Sequence, residues 1–331
     1  MATEPNIAIL NTGAVGTHAD CAARRQESIA DYWALTKPEV NFLILIATFA
    51  GFYLAPTPAA AGFQTSRVIC TLVGTLFVAS GTAALNQFLE RSFDAQMRRT
   101  ARRPVASGRV APLHALCFGI VVSLAGASFL AATVNVLTSS LSVATLLSYL
   151  FVYTPLKRKT PLCTFTGAFP GAVPPLIGWA AARGRLDWGA WILFVLVFLW
   201  QFPHFIAIAW MYREDYARAG YNVLPAGRWR GRVVTWQSAA VSLLLIAVSL
   251  IPAGAFQSSL GYSVAAVPLG LIFFYYSSRF AYEKSNASAR RLLVASIIYL
   301  PLMLGLIMLN KQWREPAAPA RRVPHSIRAA L

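Results

Sequence analysis

The sequence predicts an all-α polytopic membrane protein of about nine transmembrane helices in one bundle, and three observations carry that prediction. The 331 residues are 57% hydrophobic, with a mean hydropathy of +0.55 and only 12% charged residues; soluble domains carry roughly 25% charged residues. Apolar stretches near the ~20-residue spanning length recur along the chain from Val40 onward. Basic residues alternate between the successive connections, as they do when a chain crosses a bilayer repeatedly.

Nine apolar segments fall at about 40–56, 68–89, 113–134, 138–153, 164–182, 188–211, 234–254, 260–280 and 291–309. The fourth is short and the fifth is rich in proline. Residues 1–37 form a polar arm with Glu4, Asp20, Glu27 and Asp31; it lacks the apolar run of a signal peptide, is too acidic for a transit peptide, and reads as cytosolic and unstructured. Residues 38–310 form the membrane domain, and 311–331 a basic tail.

The formal net charge of +17 would point to nucleic acid in a soluble chain, but the placement of the charges argues against it. The segments before the first span and after the second, fourth, sixth and eighth hold 3, 6, 3, 5 and 4 basic residues; the alternate connections hold Arg67, Arg183 and Arg185 alone. The positive-inside rule therefore puts the arm and the even-to-odd connections in the cytosol. Nine spans then carry the tail outward although it holds five basic residues, a conflict internal to the sequence. Cys21, Cys70, Cys117 and Cys163 lack metal or disulfide spacing and read as small apolar residues.

Six carboxylates lie between residues 40 and 310: Glu90, Asp94, Asp187, Glu214, Asp215 and Glu283. Four of them cluster at the cytosolic ends of the second and sixth spans. Asn86, Glu90 and Asp94 are four apart, and Arg98 and Arg102 continue the interval, so a helix through all five would line them up in one stripe. One reading is interfacial pairing of the acids with Arg91, Arg98 and Arg102. The other starts from Asn86, an amide a turn deeper in the apolar segment. Amide and carboxylate oxygens near a helix C-terminus favour a cation; they suit Mg²⁺, which takes one or two carboxylates plus substrate phosphate. The arginines beyond can hold the phosphate. The stripe then reads as a diphosphate clamp at a membrane surface.

The stretch "NQFLERSFDAQMRRTARRPVASGRV" (86–110) resembles the first aspartate-rich motif of the UbiA superfamily of intramembrane prenyltransferases, and within it the heme-farnesylating branch. "YTPLKRKTPLCTFTGAFPGAVPPLIGWAAARGRLD" (153–187) and "WQFPHFIAIAWMYREDYARAGYNVLP" (200–225) are similar to that branch's later tracts. The resemblance, from about Asp31 to Asn310, implies a UbiA-like bundle around a central cavity opening near the cytosolic leaflet. It implies farnesyl diphosphate as donor, heme b as acceptor, Mg²⁺ as cofactor and heme O as product, passed to a downstream heme-modifying enzyme or oxidase-assembly factor. By position it gives Asn86, Glu90 and Asp94 the metal and diphosphate role. Arg98, Arg102, Arg103, Lys157 and Arg158 become diphosphate contacts, and Asp215 the acid of the second motif. Glu90 stands where many members have aspartate. Tyr212 and Tyr216 replace acids of the quinone-pathway relatives, which argues against a second all-carboxylate metal site. The expected location is a bacterial inner membrane, with the site facing the cytosol.

His204, in "FPHF", is by itself a packed helical histidine; the likeness to the heme-using branch makes it an acceptor-site candidate. His114 reads as interfacial, while His18 and His325 lie in the tails. "GAFPGAVPP" (167–175) is either a kink or room for a planar acceptor. "DYARAGYNVLP" reads as a lid with Gly220 free to take positive φ, and "AYEKSNASARR" as a solvated loop. The competing functions are prenyl transfer to an aromatic quinone or chlorin precursor, and lipid-diphosphate transport through broken helices. Transport calls for charge near the bilayer midplane, whereas these acids lie at one face.

Overall fold

The computed structural model describes residues 27–56, 64–224, 228–255 and 260–311. Cys21, His18, His325 and nearly all of the basic tail lie outside them. Among the described residues the regular structure is entirely helical: α1 (Ile29–Leu35), α2 (Pro38–Leu54), α3 (Thr65–Asp94), α4 (Pro112–Thr133), α5 (Val136–Leu147) running through a π-helical turn (Ser148–Tyr153) into α6 (Thr154–Lys159), α7 (Cys163–Ala172), α8 (Pro174–Arg183), α9 (Trp188–Met211), α10 (Arg213–Arg218), α11 (Arg228–Ala255), α12 (Leu260–Glu283) and α13 (Asn286–Leu309).

Seven of these helical segments are long and apolar enough to cross a membrane, and the α1–α2 pair, bent by 49°, makes an eighth. The fifth span expected from the sequence is instead two ten-residue helices, α7 and α8, meeting at Val173. Pro174 and Pro175 cause the division: neither has an amide hydrogen to donate to the preceding turn, and both are tolerated at a helix start.

Packing contacts run from α2 to α3, α4 and α5, through α7 to α9, α11, α12 and α13, and return from α13 to α2. Within that ring α8 is buried at every residue from Pro174 to Ala181 and packs on α2. The approach is close: a Cβ on Gly178 would stand 1.8 Å from the Thr48 carbonyl oxygen, and one on Gly51 2.0 Å from that of Pro175. In lipid the hydrophobic effect supplies no force between helices, so small residues that let backbones touch set such interfaces. Phe42, Val121, Leu124, Val264 and Leu302 point outward, where hydrocarbon rather than water meets them.

Two segments differ from the sequence reading. The end of the arm is folded: Ser28 and Asp31 form a reciprocal capping box that starts α1. "AYEKSNASARR" is mostly helix, with α12 reaching Glu283 and α13 starting at Asn286 through a Ser285–Ser288 capping box. Short polar residues read as loop from composition are here helix caps.

Candidate active site

The last three turns of α3 carry Asn86, Glu90 and Asp94 on one face, 1%, 4% and 1% exposed. The stripe expected to continue through Arg98 and Arg102 stops at Asp94, where α3 ends and the chain turns through residues 95–110. Arg98 and Arg102 are exposed, and among the described residues neither pairs with a carboxylate. Arg103 folds back instead, its Nη1 2.8 Å from both Asp94 carboxylate oxygens. Thr100 Oγ1 donates to the Asp94 carbonyl at 2.9 Å, satisfying a helix-end acceptor.

Each of the three α3 groups faces a basic side chain from a different part of the chain. Lys37 Nζ donates to Asn86 Oδ1 at 3.0 Å. Asn86 Nδ2 donates to Glu90 Oε2 at 2.9 Å. Lys157 Nζ lies 3.0 and 3.3 Å from the Glu90 oxygens, and the Tyr221 hydroxyl donates to Oε1 at 3.1 Å. Burial, then the Glu90 carboxylate, pushes the Tyr221 phenol above its usual pKa, so it stays protonated as a donor. Lys157 and Arg103 set two positive charges against the two carboxylates, and the Lys37 amine adds a further N–H donor, so the cluster holds three groups able to meet an anion.

The chain spends conformational strain on this cluster. Lys37 holds φ +52° at the corner between α1 and Pro38, a left-handed conformation that costs a non-glycine residue roughly 1 kcal/mol or more. Gln87 Nε2 donates to the Ala34 and Leu35 carbonyls at 3.3 and 3.2 Å, tying α1 to α3 one residue past Asn86. Lys157 leaves the end of the α5–α6 segment with its ammonium 4.5 Å from the Tyr153 ring centroid, a cation–π contact that orients it.

The second motif reaches the same face. Asp215 on α10, 8% exposed, accepts from the Arg99 backbone N–H at 3.4 Å and from Arg218 Nη2 at 3.0 Å. The Arg99 guanidinium lies 4.6 Å from the Tyr212 ring centroid and donates to the Tyr216 hydroxyl at 3.2 Å. Tyr212 and Tyr216 therefore grip the loop that follows the first motif, and Asp215 is satisfied by that loop. Gly220 takes φ +71°, as its place after α10 requires; the turn directs Tyr221 to Glu90. Asn222 then donates from its backbone to the Lys157 carbonyl at 2.9 Å and from its side chain to that of Arg158 at 3.1 Å. The exposed Arg158 guanidinium lies over Phe93 at 4.4 Å, and Glu214 is exposed.

His204 has a different setting. Its Nδ1 is 2.8 Å from Ser296 Oγ on α13, and its ring stacks on Trp200, whose Nε1 donates to the Ser296 carbonyl. Those partners are the ones expected of a core histidine. Lys37, Tyr221 and Arg99 are the site residues that sequence reasoning missed. The signal for Lys37 was its place before Pro38 at the start of a span; Tyr221 lay inside the second tract without a charge to mark it.

Among the described residues no three His, Cys, Asp or Glu side chains converge on a metal position. The set is one amide oxygen and two carboxylates. A hard divalent cation fits it when phosphate oxygens supply the remaining ligands.

The chain belongs to the UbiA prenyltransferase family, whose sequence profile matches residues 44–309. It is an integral membrane prenyltransferase by that membership and by its spans. The curated relatives narrow the likeness to one activity. The chain is 46% identical to the protoheme IX farnesyltransferase of Solibacter usitatus over 85% of this chain and 98% of the relative. It is 41% identical to that of Salinibacter ruber over 85% and 98%, and 33% identical to the mitochondrial one of Arabidopsis thaliana over 85% and 64%. Among solved structures the fold is similar to that of a digeranylgeranylglyceryl phosphate synthase study, with a TM-score of 0.69 at 16% identity over 85% of this chain and 98% of that one. It is also similar to a UbiA homologue from Archaeoglobus fulgidus bound to DMAPP and Mg²⁺, with a TM-score of 0.63 at 17% identity over 84% and 98%.

Proposed function

We propose that this chain transfers the farnesyl group of farnesyl diphosphate to a vinyl group of heme b, with addition of water, to give heme O. The observation that carries the chemistry is the buried Asn86–Glu90–Asp94 stripe with a separate basic side chain at each member. The acceptor is inferred from the names of the relatives at up to 46% identity.

Breaking the allylic C–O bond leaves a farnesyl cation and a diphosphate that takes the bonding pair. In this reading Lys37, Lys157 and Arg103 exchange their present oxygen partners for diphosphate oxygens, and the leaving charge meets donors already oriented by Asn86, Tyr153 and the loop after α3. Glu90 and Asp94, with Asn86, are the residues that would hold Mg²⁺, and the ion would supply neutralisation of the diphosphate charge. Tyr221 keeps Glu90 oriented through the exchange. The terminal vinyl carbon forms the new bond, and water captures the cation left on the adjacent carbon and loses a proton, giving the hydroxyethylfarnesyl group. No side-chain nucleophile is required, and no step requires His204. Asp215, with Arg99, holds the loop that presents Arg103, while Arg98, Arg102 and Arg158 form a basic outer rim. The distribution of basic residues supports a site facing the cytosol in a bacterial inner membrane.

The test is incubation of the purified protein with heme b, farnesyl diphosphate and Mg²⁺, with pigments separated by chromatography and weighed by mass spectrometry. A heme heavier by farnesyl plus water, absent with chelator and in Asp94→Asn, is the expected result. Unchanged heme with prenylation of an aromatic quinone precursor would transfer the reading to that acceptor. Neither product, with diphosphate moved across vesicles, would replace it by transport.

A further inference from the structure

A second feature lies on the outside of the bundle, on the same membrane face as the carboxylates. Between α12 and α13 lies a groove of about 430 Å³ lined by Tyr276, Ala287, Arg290, Arg291, Val294, Ala295 and Ile298; that volume is in the range of small-ligand sites. On α13 these residues are spaced three and four apart and share one face over the first three turns. The order along that face is polar then apolar: two arginines near the helix start, then Val294, Ala295 and Ile298 for about 10 Å into the membrane span. Both arginines are exposed, and among the described residues neither forms an ion pair. Glu283, which also feels the charge of Arg291, is paired with Arg279 at 2.5 Å. The Ser285–Ser288 capping box fixes the first turn of α13, so the guanidinium groups project from a rigid base. That turn adjoins the second motif, because Arg213 at the start of α10 donates to Asn286 Oδ1 at 2.6 Å.

We propose that this groove binds one anionic phospholipid, its phosphate on Arg290 and Arg291 and an acyl chain along Val294 and Ile298 against Tyr276. Charge complementarity selects the occupant: two exposed guanidiniums with no carboxylate in contact call for a phosphate, and the apolar wall below them calls for a chain attached to it. A soluble anion would leave the apolar half uncovered, and a zwitterionic lipid presents its phosphate already paired with its own cation.

The full chain is purified in a neutral detergent and examined by native mass spectrometry, with phosphatidylglycerol and phosphatidylcholine of identical acyl chains added in turn. One phosphatidylglycerol retained in preference to phosphatidylcholine is expected. At about 1 kcal/mol for each arginine near an anionic headgroup, Arg290→Gln with Arg291→Gln weakens phosphatidylglycerol about 30-fold. Val294→Trp, which fills the groove and keeps both charges, abolishes retention; Arg291→Lys preserves most of it. Unaltered melting temperatures of the variants exclude unfolding as the cause. Equal retention of the two lipids, full retention by the double variant, or one-for-one displacement by farnesyl diphosphate would overturn the assignment.

Discussion

Replacing Lys157 with methionine separates the two roles of the cluster around Glu90. The side chains of Lys157 and Glu90 are 14% and 6% exposed and 3.0 Å apart, so removing the ammonium strands a carboxylate in a dry site. Breaking a buried pair from one side costs about 3–5 kcal/mol. The Asn86 amide and the Tyr221 hydroxyl stay behind as donors and hold the loss to the lower part of that range. At roughly 2–4 °C per kcal/mol for 150–250 residues, and less for a longer chain, Lys157→Met should lower the melting temperature in detergent by up to about 6–12 °C. Glu90→Gln introduced into that variant removes the stranded charge and should recover more than half of the loss, since a neutral pair in a buried site is often as stable as the ionic one. Prenyl transfer should stay absent from both, because the diphosphate cation is missing from both. Thermal unfolding followed by circular dichroism, beside the pigment assay, gives the two readouts. A Lys157→Met melting temperature within 2 °C of wild type, or a double variant no more stable than the single, would refute the view that a buried ion pair is stored at this site.

Lys37→Met should reduce turnover about 10²–10³-fold, the usual effect of losing one oriented charge stabiliser, whereas Arg98→Gln and Arg102→Gln, on exposed side chains, should each cost less than tenfold; the pigment assay compares them. Chelation should abolish turnover, and added Mg²⁺ should restore it in wild type but not in Asp94→Asn, which a metal titration of activity checks. Gly178→Val should prevent accumulation of folded protein, because its Cβ would stand 1.8 Å from the Thr48 carbonyl oxygen, while Gly305→Ala, with open space around it, should be neutral or stabilising by up to about 1 kcal/mol; detergent-solubilised yield and melting temperature test the pair. Glu27 is held down to about 2 by the Ala111 N–H, then by Tyr32 and His114. A carboxyl depressed in the folded state contributes stability above its ordinary value of 4.5 that is lost as pH falls toward 2. Amide exchange of α1, corrected for the intrinsic rate, should therefore show no change attributable to Glu27 between pH 7 and 5 and should accelerate as pH falls from 4.5 toward 2, whereas Glu27→Gln should exchange faster already at pH 7 and lose that dependence.

Much of this protein is written in local sequence. Apolar length against bilayer thickness defines the spans, and the four-residue interval of Asn86, Glu90 and Asp94 puts them on one helix face wherever α3 sits. The division of the fifth span is local too, since the prolines at 174 and 175 impose it. The members of the site that came from elsewhere were not legible in this way. Lys37 is 49 residues from Asn86 and Tyr221 is 131 from Glu90. Nothing in either neighbourhood specifies that contact, because long-range pairing follows from how helices pack. Helical periodicity extended the stripe to Arg98 and Arg102, but α3 ends at Asp94, and the turn that follows returns Arg103 instead. His204 is a different case: resemblance made it an acceptor-site candidate, and the partners that packing gives it are Trp200 and Ser296. Sequence alone determined the all-helical bundle and the shared helix face of Asn86, Glu90 and Asp94, since apolar length and spacing along one segment are enough for both. Tertiary structure decided which cation meets which carboxylate, because a buried charge is satisfied by whatever the folded chain brings within about 3 Å.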